Sequence, residues 1–245
     1  METALKRGKS GRSTCLSNPY RYNGRVEKYN DLLNHPENLI RELKSALRVP
    51  LPGEAAQKKM APPLRDLRPE PGVMPRRSAV LALLYGSPLG ISLLFTLRPR
   101  TLAQHGGQIS FPGGMAEEQD ATLVQTALRE VEEEVGLPAK LVQVLGCITS
   151  LYISPSQTMV YPFVGWIPQL PSLHPSPVEV EKVLEVPLTT LLDPKTRQFY
   201  KWQRNGQTLT APCYQVNGSC IWGATAMMVS ELLDIIKRIL GAEDR

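Results

Sequence analysis

Apolar residues recur along this chain in two rhythms. SAVLALLY and ISLLFTLR, from residue 78 onward, are unbroken apolar runs separated by GSPLG, the pattern of two well-buried strands joined by a Gly/Pro turn. GQIS, LVQVLGCIT and MVYPFVGWI predict further strands, EVEKVLEVPLTTLL a strand leading into a short helix, and FYKWQRNGQTLTAPCYQV a hairpin turning at Asn205–Gly206. The helical rhythm appears three times. PENLIRELKSALRV opens with Pro36 at a first helical position and lines up Leu39, Ile40, Leu43, Ala46 and Leu47. Ala121 to Val135 fits a second helix, with Asp120 as its N-cap and Gly136 just beyond its end. GATAMMVSELLDIIKRIL, from Gly223, turns Met227, Met228, Leu232, Ile235, Ile236 and Ile239 to one side, a core-facing stripe. Strands with helices between and after them predict an α/β (α+β) fold, a mixed sheet sandwiched between helices.

Ahead of this compact region, residues 50–77 are punctuated by seven prolines and read as an extended arm. The expected organisation is a basic, disordered tail over 1–35, a short helix and Pro-rich arm over 36–77, and one domain over 78–241. The net charge of +5 sits wholly in residues 1–30, leaving 21 basic and 21 acidic residues in the remainder. That placement argues against nucleic acid as a partner of the domain. Two other readings of this tail stay open, an Arg-rich targeting peptide or residues upstream of the true start; it lacks the apolar core of a secretory signal. No apolar run approaches a membrane span of about 18 residues, so a cytoplasmic protein is expected. The four cysteines show no metal-binding spacing and read as thiols in a reducing compartment.

The chemistry concentrates in FPGGMAEEQDATLVQTALREVEEEVGL, residues 111–137. At about 100° per residue, with Glu130 at zero, Glu134 falls near 40° and Glu133 near −60°, one narrow arc. Val124, Ala127, Leu128, Val131 and Val135 form the apolar face beside that arc, and Glu132 lies on the far flank. Arg129 stands one turn before Glu133, placed to hold its carboxylate. Three carboxylates on one arc repel, and a divalent cation with oxygen preference would remove that cost. Gly113 and Gly114, after Phe111, let the backbone approach a ligand closely, a suitable cradle for phosphate.

Arg129 to Leu137, REVEEEVGL, resembles the second half of the Nudix box, and Gly114 with Asp120 resembles its Gly-x5-Glu half, with Asp replacing Glu. Eight residues separate Asp120 from Arg129, one more than in the general pattern. That extra residue is similar to the coenzyme A diphosphatase branch of the superfamily. So is the segment LLFTLRPRTLAQHGGQISFPGG, in which Leu94, Thr96, Arg98, Leu102, His105, Gly107, Gln108 and Phe111 to Gly114 fit the branch's outline. Pro99 and Ala103 depart from it, at positions that bear on substrate rather than on chemistry.

The resemblance implies a Nudix fold and a metal-dependent diphosphatase using Mg²⁺ or Mn²⁺. A coenzyme A-like nucleotide would be cleaved to 4′-phosphopantetheine and adenosine 3′,5′-bisphosphate. It implies Glu130, Glu133 and Glu134 as metal ligands, with Arg129 orienting Glu133. Glu179, or Glu181 in the same Pro-flanked loop, is the expected general base. Arg98, His105, Gln108, Phe111, Gly113 and Gly114 are the expected substrate contacts. Other nucleotide substrates such as ADP-ribose, a non-hydrolysing nucleotide sensor, and a homodimeric assembly remain open on the sequence.

Overall fold

The computed structural model describes residues 35–63, 65–101, 105–204 and 207–241. The basic tail, the Asn205–Gly206 turn, and Leu102 and Ala103 lie outside the described residues. In chain order the elements are α1 (Pro36–Ala46), α2 (Gly53–Lys58), β1 (Arg76–Ser87), β2 (Gly90–Leu97), β3 (Ile109–Ser110), β4 (Gly113–Met115), α3 (Leu123–Val135), β5 (Gln143–Cys147), β6 (Leu151–Ile153), β7 (Thr158–Ile167), β8 (Lys182–Pro187), α4 (Leu188–Leu192), β9 (Arg197–Arg204), β10 (Gln207–Val216), β11 (Ser219–Trp222) and α5 (Gly223–Leu240).

The long apolar run of β1 is explained by its position at the centre of an eight-stranded mixed sheet, paired in parallel with β7 from Arg76 through Tyr85. Side chains alternate across a strand, and both faces of β1 are covered. Ala79, Leu81, Leu83 and Tyr85 pack with Ala127, Val131 and Val135 of α3. Ala82 and Leu84 join the larger core beneath α1 and α5. The sandwich of helix, sheet and helix expected from the sequence is what forms.

The other edge of β1 is shared. Its first half, Ser78 to Val80, pairs antiparallel with Met115 to Gly113 of β4, and its second half, Leu84 to Ser87, pairs with β2. The Phe111–Met115 segment therefore enters the sheet where β2 leaves it. The remaining strands, β9–β10–β11, form a separate three-stranded antiparallel sheet. Asn217 and Gly218, both with positive φ, make its β10–β11 turn, an Asn-Gly hairpin not foreseen in the sequence.

Three other expectations are corrected. The α3 helix starts at Leu123, because Thr122 and Gln125 form a reciprocal capping box that satisfies two backbone N–H groups; Asp120 is not the cap. The Pro-rich arm contains a short helix, α2. Cys213 and Cys220 are disulfide-bonded across the β10–β11 hairpin, with Cα atoms 5.7 Å apart, and Cys147 is a free, exposed thiol.

The arm is fastened to α5 through a buried carboxylate. Glu231 accepts hydrogen bonds from Gly53 N (3.1 Å), Gln57 Nε2 (2.8 Å), Thr149 N (3.2 Å) and Thr149 Oγ1 (2.6 Å). Ser230 Oγ donates to the Ala56 carbonyl, and Lys59 pairs with Asp234 at 2.8 Å. Leu39, Ile40, Leu43 and Met60 complete the same core. Among the described residues no helix is long and apolar enough to cross a membrane.

Candidate active site

Helix α3 carries the acidic arc, and its C-terminal end is held by the loop that follows β7. His174 N donates to the Val135 carbonyl and Ser176 N to the Glu134 carbonyl, satisfying acceptors that a helix end leaves unpaired. Gly136, at φ 71°, is the left-handed C-cap; a Cβ there would crowd His174. This docking brings Glu179, on the same loop, close enough to Glu130 and Glu134 to disfavour ionisation of both. Glu181 is exposed, its backbone N–H bonded to the Leu97 carbonyl at the start of the β2–β8 ladder.

Arg129 organises the front of the arc. Its Nε and Nη2 each reach one oxygen of Asp120 at 3.0 Å, and Nη2 also donates to the Met115 carbonyl at 3.1 Å. Nη1 lies 2.9 Å from Glu133 Oε2 and 3.1 Å from Glu130 Oε1. The Glu133 side chain is 55% exposed and that of Asp120 only 4%. An exposed i,i+4 pair is worth about 0.3–0.5 kcal/mol, whereas a two-pronged guanidinium–carboxylate pair out of solvent fixes orientation as well as distance. Asp120 is therefore what locks Arg129, and its carboxyl is held well below the usual range by that guanidinium. The expected Arg129–Glu133 contact is present, but as the weaker of the two.

Glu134 sits deeper. Only 3% exposed, it has Oε1 3.7 Å from Arg98 Nη1, while Oε2 is buried with no hydrogen-bond partner among the described residues. Burial pushes its carboxyl up to about 8; Arg98 opposes that, and neighbouring Glu130 and Glu179 add to it. Burial also raises Glu130. A Cβ on Gly114 would run into the Glu130 carboxyl group, so the second glycine makes room for that carboxylate.

The donor chemistry fits a hard divalent cation: all oxygen, mutually repelling, with one buried carboxylate oxygen unsatisfied. The carboxylates do not converge on one point, because Arg129 draws Glu130 and Glu133 toward itself. Among the described residues no group of three or more acids, histidines or cysteines stands close enough to hold a metal as it is.

Beside the acidic patch lies a cleft of about 700 Å³. Arg98, His105, Gln108, Phe111, Gly113 and Gly114 all border it. His105 Nδ1 and Gln108 Oε1 pair at 3.1 Å within the loop between β2 and β3. Phe111 is buried and stacked on Phe95 at 4.9 Å, so its first role is to pack the cleft floor. Sequence reasoning missed Arg65, Arg76, Trp202 and Trp222, which line the same cleft. No carboxylate lines it among the described residues, so arginines dominate its charge.

Comparison with known proteins places the chain in a family. The NUDIX domain family matches residues 75–203. The chain is 41% identical over 157 residues to the Uncharacterized Nudix hydrolase NudL of Photorhabdus laumondii, covering 64% of this chain and 83% of that protein. The NudL of Yersinia enterocolitica is 38% identical over 141 residues, covering 58% and 72%. Among solved structures, a MutT protein from Methanosarcina mazei aligns at 17% identity over 67% of this chain and 91% of that one, with a TM-score of 0.42. The fold, the acidic arc behind its glycine loop and the match across residues 75–203 lead to one conclusion: the chain belongs to the Nudix hydrolase family.

Proposed function

We propose that this protein hydrolyses the diphosphate linkage of coenzyme A or a close derivative, yielding 4′-phosphopantetheine and adenosine 3′,5′-bisphosphate. One observation supports the reading above the others: a cleft lined by arginines, and by no carboxylate among the described residues, abuts the acidic patch at Gly113–Gly114. Such a cleft concentrates a polyanionic nucleotide, and the patch beside it has the oxygen donors that diphosphate hydrolysis requires. The coenzyme A assignment is supported by the residues around Arg98, His105 and Phe111–Gly114, where the chain resembles that branch.

Glu130 and Glu134, with Glu133 directly or through water, would hold Mg²⁺ or Mn²⁺. The ion, when bound, supplies charge neutralisation at the phosphoryl oxygens and a lowered pKa for bound water. The chain's own residues do the rest. Arg98 and the Gly113–Gly114 backbone orient the diphosphate, and Arg129, locked by Asp120, keeps Glu133 and Glu130 in register. Glu179 takes the proton of the attacking water. Water oxygen adds to one phosphorus, one P–O bond of the bridge breaks, and two phosphomonoesters leave.

The test is a substrate panel with Mg²⁺ or Mn²⁺ comparing coenzyme A, acyl-coenzyme A, ADP-ribose and NADH. Coenzyme A or its acyl form should rank first in kcat/KM; a far higher value for ADP-ribose overturns the assignment. Glu134→Gln should lose at least about 10³-fold in rate, the scale set by removal of a preorganised electrostatic group, while melting near the wild type. Turnover close to normal in that variant would rule out its place at the metal.

A further inference from the structure

One cationic residue of the cleft stands apart from the acidic patch. Arg65, in the arm just after Pro62 and Pro63, lies near the start of α5: its Nη1 would be 4.0 Å from a Cβ on Gly223. Its Nε and Nη2 are buried and have no hydrogen-bond partner among the described residues. No carboxylate among the described residues compensates it, and burial lowers the pKa of the guanidinium. Leaving two buried donors unpaired costs free energy, and the position adds to the cost. The first turn of the 18-residue helix α5 has N–H groups without intrahelical partners, and its N-cap, Trp222, offers no side-chain cap. A helix start favours anions and disfavours a cation. One bound anion would relieve both penalties at once.

The surroundings narrow its identity. Trp202 and Trp222, half-buried and 4.9 Å apart between ring centroids, border the cleft beside Arg65. Tyr200 stacks with both, at 5.1 Å from Trp222 and 5.9 Å from Trp202; the apolar surface that this cluster leaves toward the cleft suits a purine ring, and a planar guanidinium suits phosphate oxygens. We propose that Arg65, Trp202, Trp222 and the start of α5 form a subsite for a phosphomonoester on the nucleoside part of the ligand, distinct from the diphosphate that is cleaved. The inference rests on the proposed function for the ligand's identity, since coenzyme A carries one such group, on its ribose. It makes Arg65 a specificity-determining residue.

The decisive measurement is equilibrium binding to the full chain, read by tryptophan emission or calorimetry, of adenosine 3′,5′-bisphosphate against adenosine 5′-monophosphate. The wild type should prefer the bisphosphate by at least about tenfold, the scale of a hydrogen bond to a charged group. In Arg65→Met that ratio should fall to within about threefold, and Arg65→Lys, which keeps the charge without the fork, should fall between. No preference in the wild-type chain, a ratio unchanged in Arg65→Met, or equal losses for both ligands would overturn the subsite. Binding and hydrolysis separate the two readings. A wild-type chain that shows the preference but leaves both coenzyme A and its acyl form intact refutes the cleavage reading and upholds the subsite. One that cleaves coenzyme A without the preference does the reverse.

Discussion

A methyl group added to Gly114 would meet the Glu130 carboxyl group, whereas one added to Gly113, at φ 152°, would meet the backbone of Ala79 and Val80. The first obstacle is the end of a flexible side chain and can yield; the second is the neighbouring strand and cannot. Gly114→Ala should therefore fold with near-native stability but push Glu130 aside. A displacement of about 1 Å at a reacting centre can cost about 10²-fold in rate. Steady-state kinetics alongside a thermal melt test this, and a variant that is unstable yet fully active at low temperature would contradict it. Glu134 gives a prediction at the same scale. Its folded-state carboxyl titrates near 8, above its ordinary value of 4.5, so the folded protein holds that proton more tightly than the unfolded chain. The stability it contributes is complete below about pH 4.5 and is lost as pH rises toward 8, by a few kcal/mol in order of magnitude. In metal-free protein the melting temperature should fall between pH 6 and 8.5, and Glu134→Gln should flatten that fall. Added Mg²⁺ should raise the melting temperature more at pH 8.5 than at pH 6; an equal shift at both would count against the assignment.

Among the elements, α5 does most to organise the molecule, because Glu231 receives donors from the arm and from the loop after β5 on one carboxylate. Glu231→Ala would strand several buried donors at about 1–3 kcal/mol each, so a loss of at least about 3 kcal/mol in chemical denaturation is expected. A loss below 1 kcal/mol would mean that water replaces the carboxylate. Nothing in the sequence marks this residue, which sits in an apolar stripe and finds its partners about 80 and 175 residues away in sequence. What was legible was periodic or local. The two-faced burial of β1 follows from an unbroken apolar run, and the acidic arc follows from helical angles. Asp120 was read as a cap because it precedes the apolar rhythm, but Thr122 competes two residues later, with Gln125 in place to complete the box. Arg65, alone among prolines, and Trp202 and Trp222, on β9 and β11, carried no periodic signal at all. Residues that meet only through the tertiary fold leave no trace in spacing.

At the level of the whole molecule, the family match begins at residue 75, whereas the core begins at Leu39. A chain shortened to start at residue 75 would uncover the faces of α5 and β5 that α1 and α2 bury, together with the Glu231 carboxylate. It should express poorly or bind an apolar dye such as ANS, and a well-folded, dye-negative truncation would show that the arm is dispensable. The Glu231 clamp has one more consequence. Gly53 and Gln57 are tied to α5, and Arg65 follows them along the same segment, so a ligand held at Arg65 would resist local opening of the whole stretch. Backbone amides of residues 53–60 should exchange with deuterium more slowly when adenosine 3′,5′-bisphosphate is bound, although none of them touches it. In that sense the arm would work as an occupancy gauge, registering at the edge of the fold what is held at its centre.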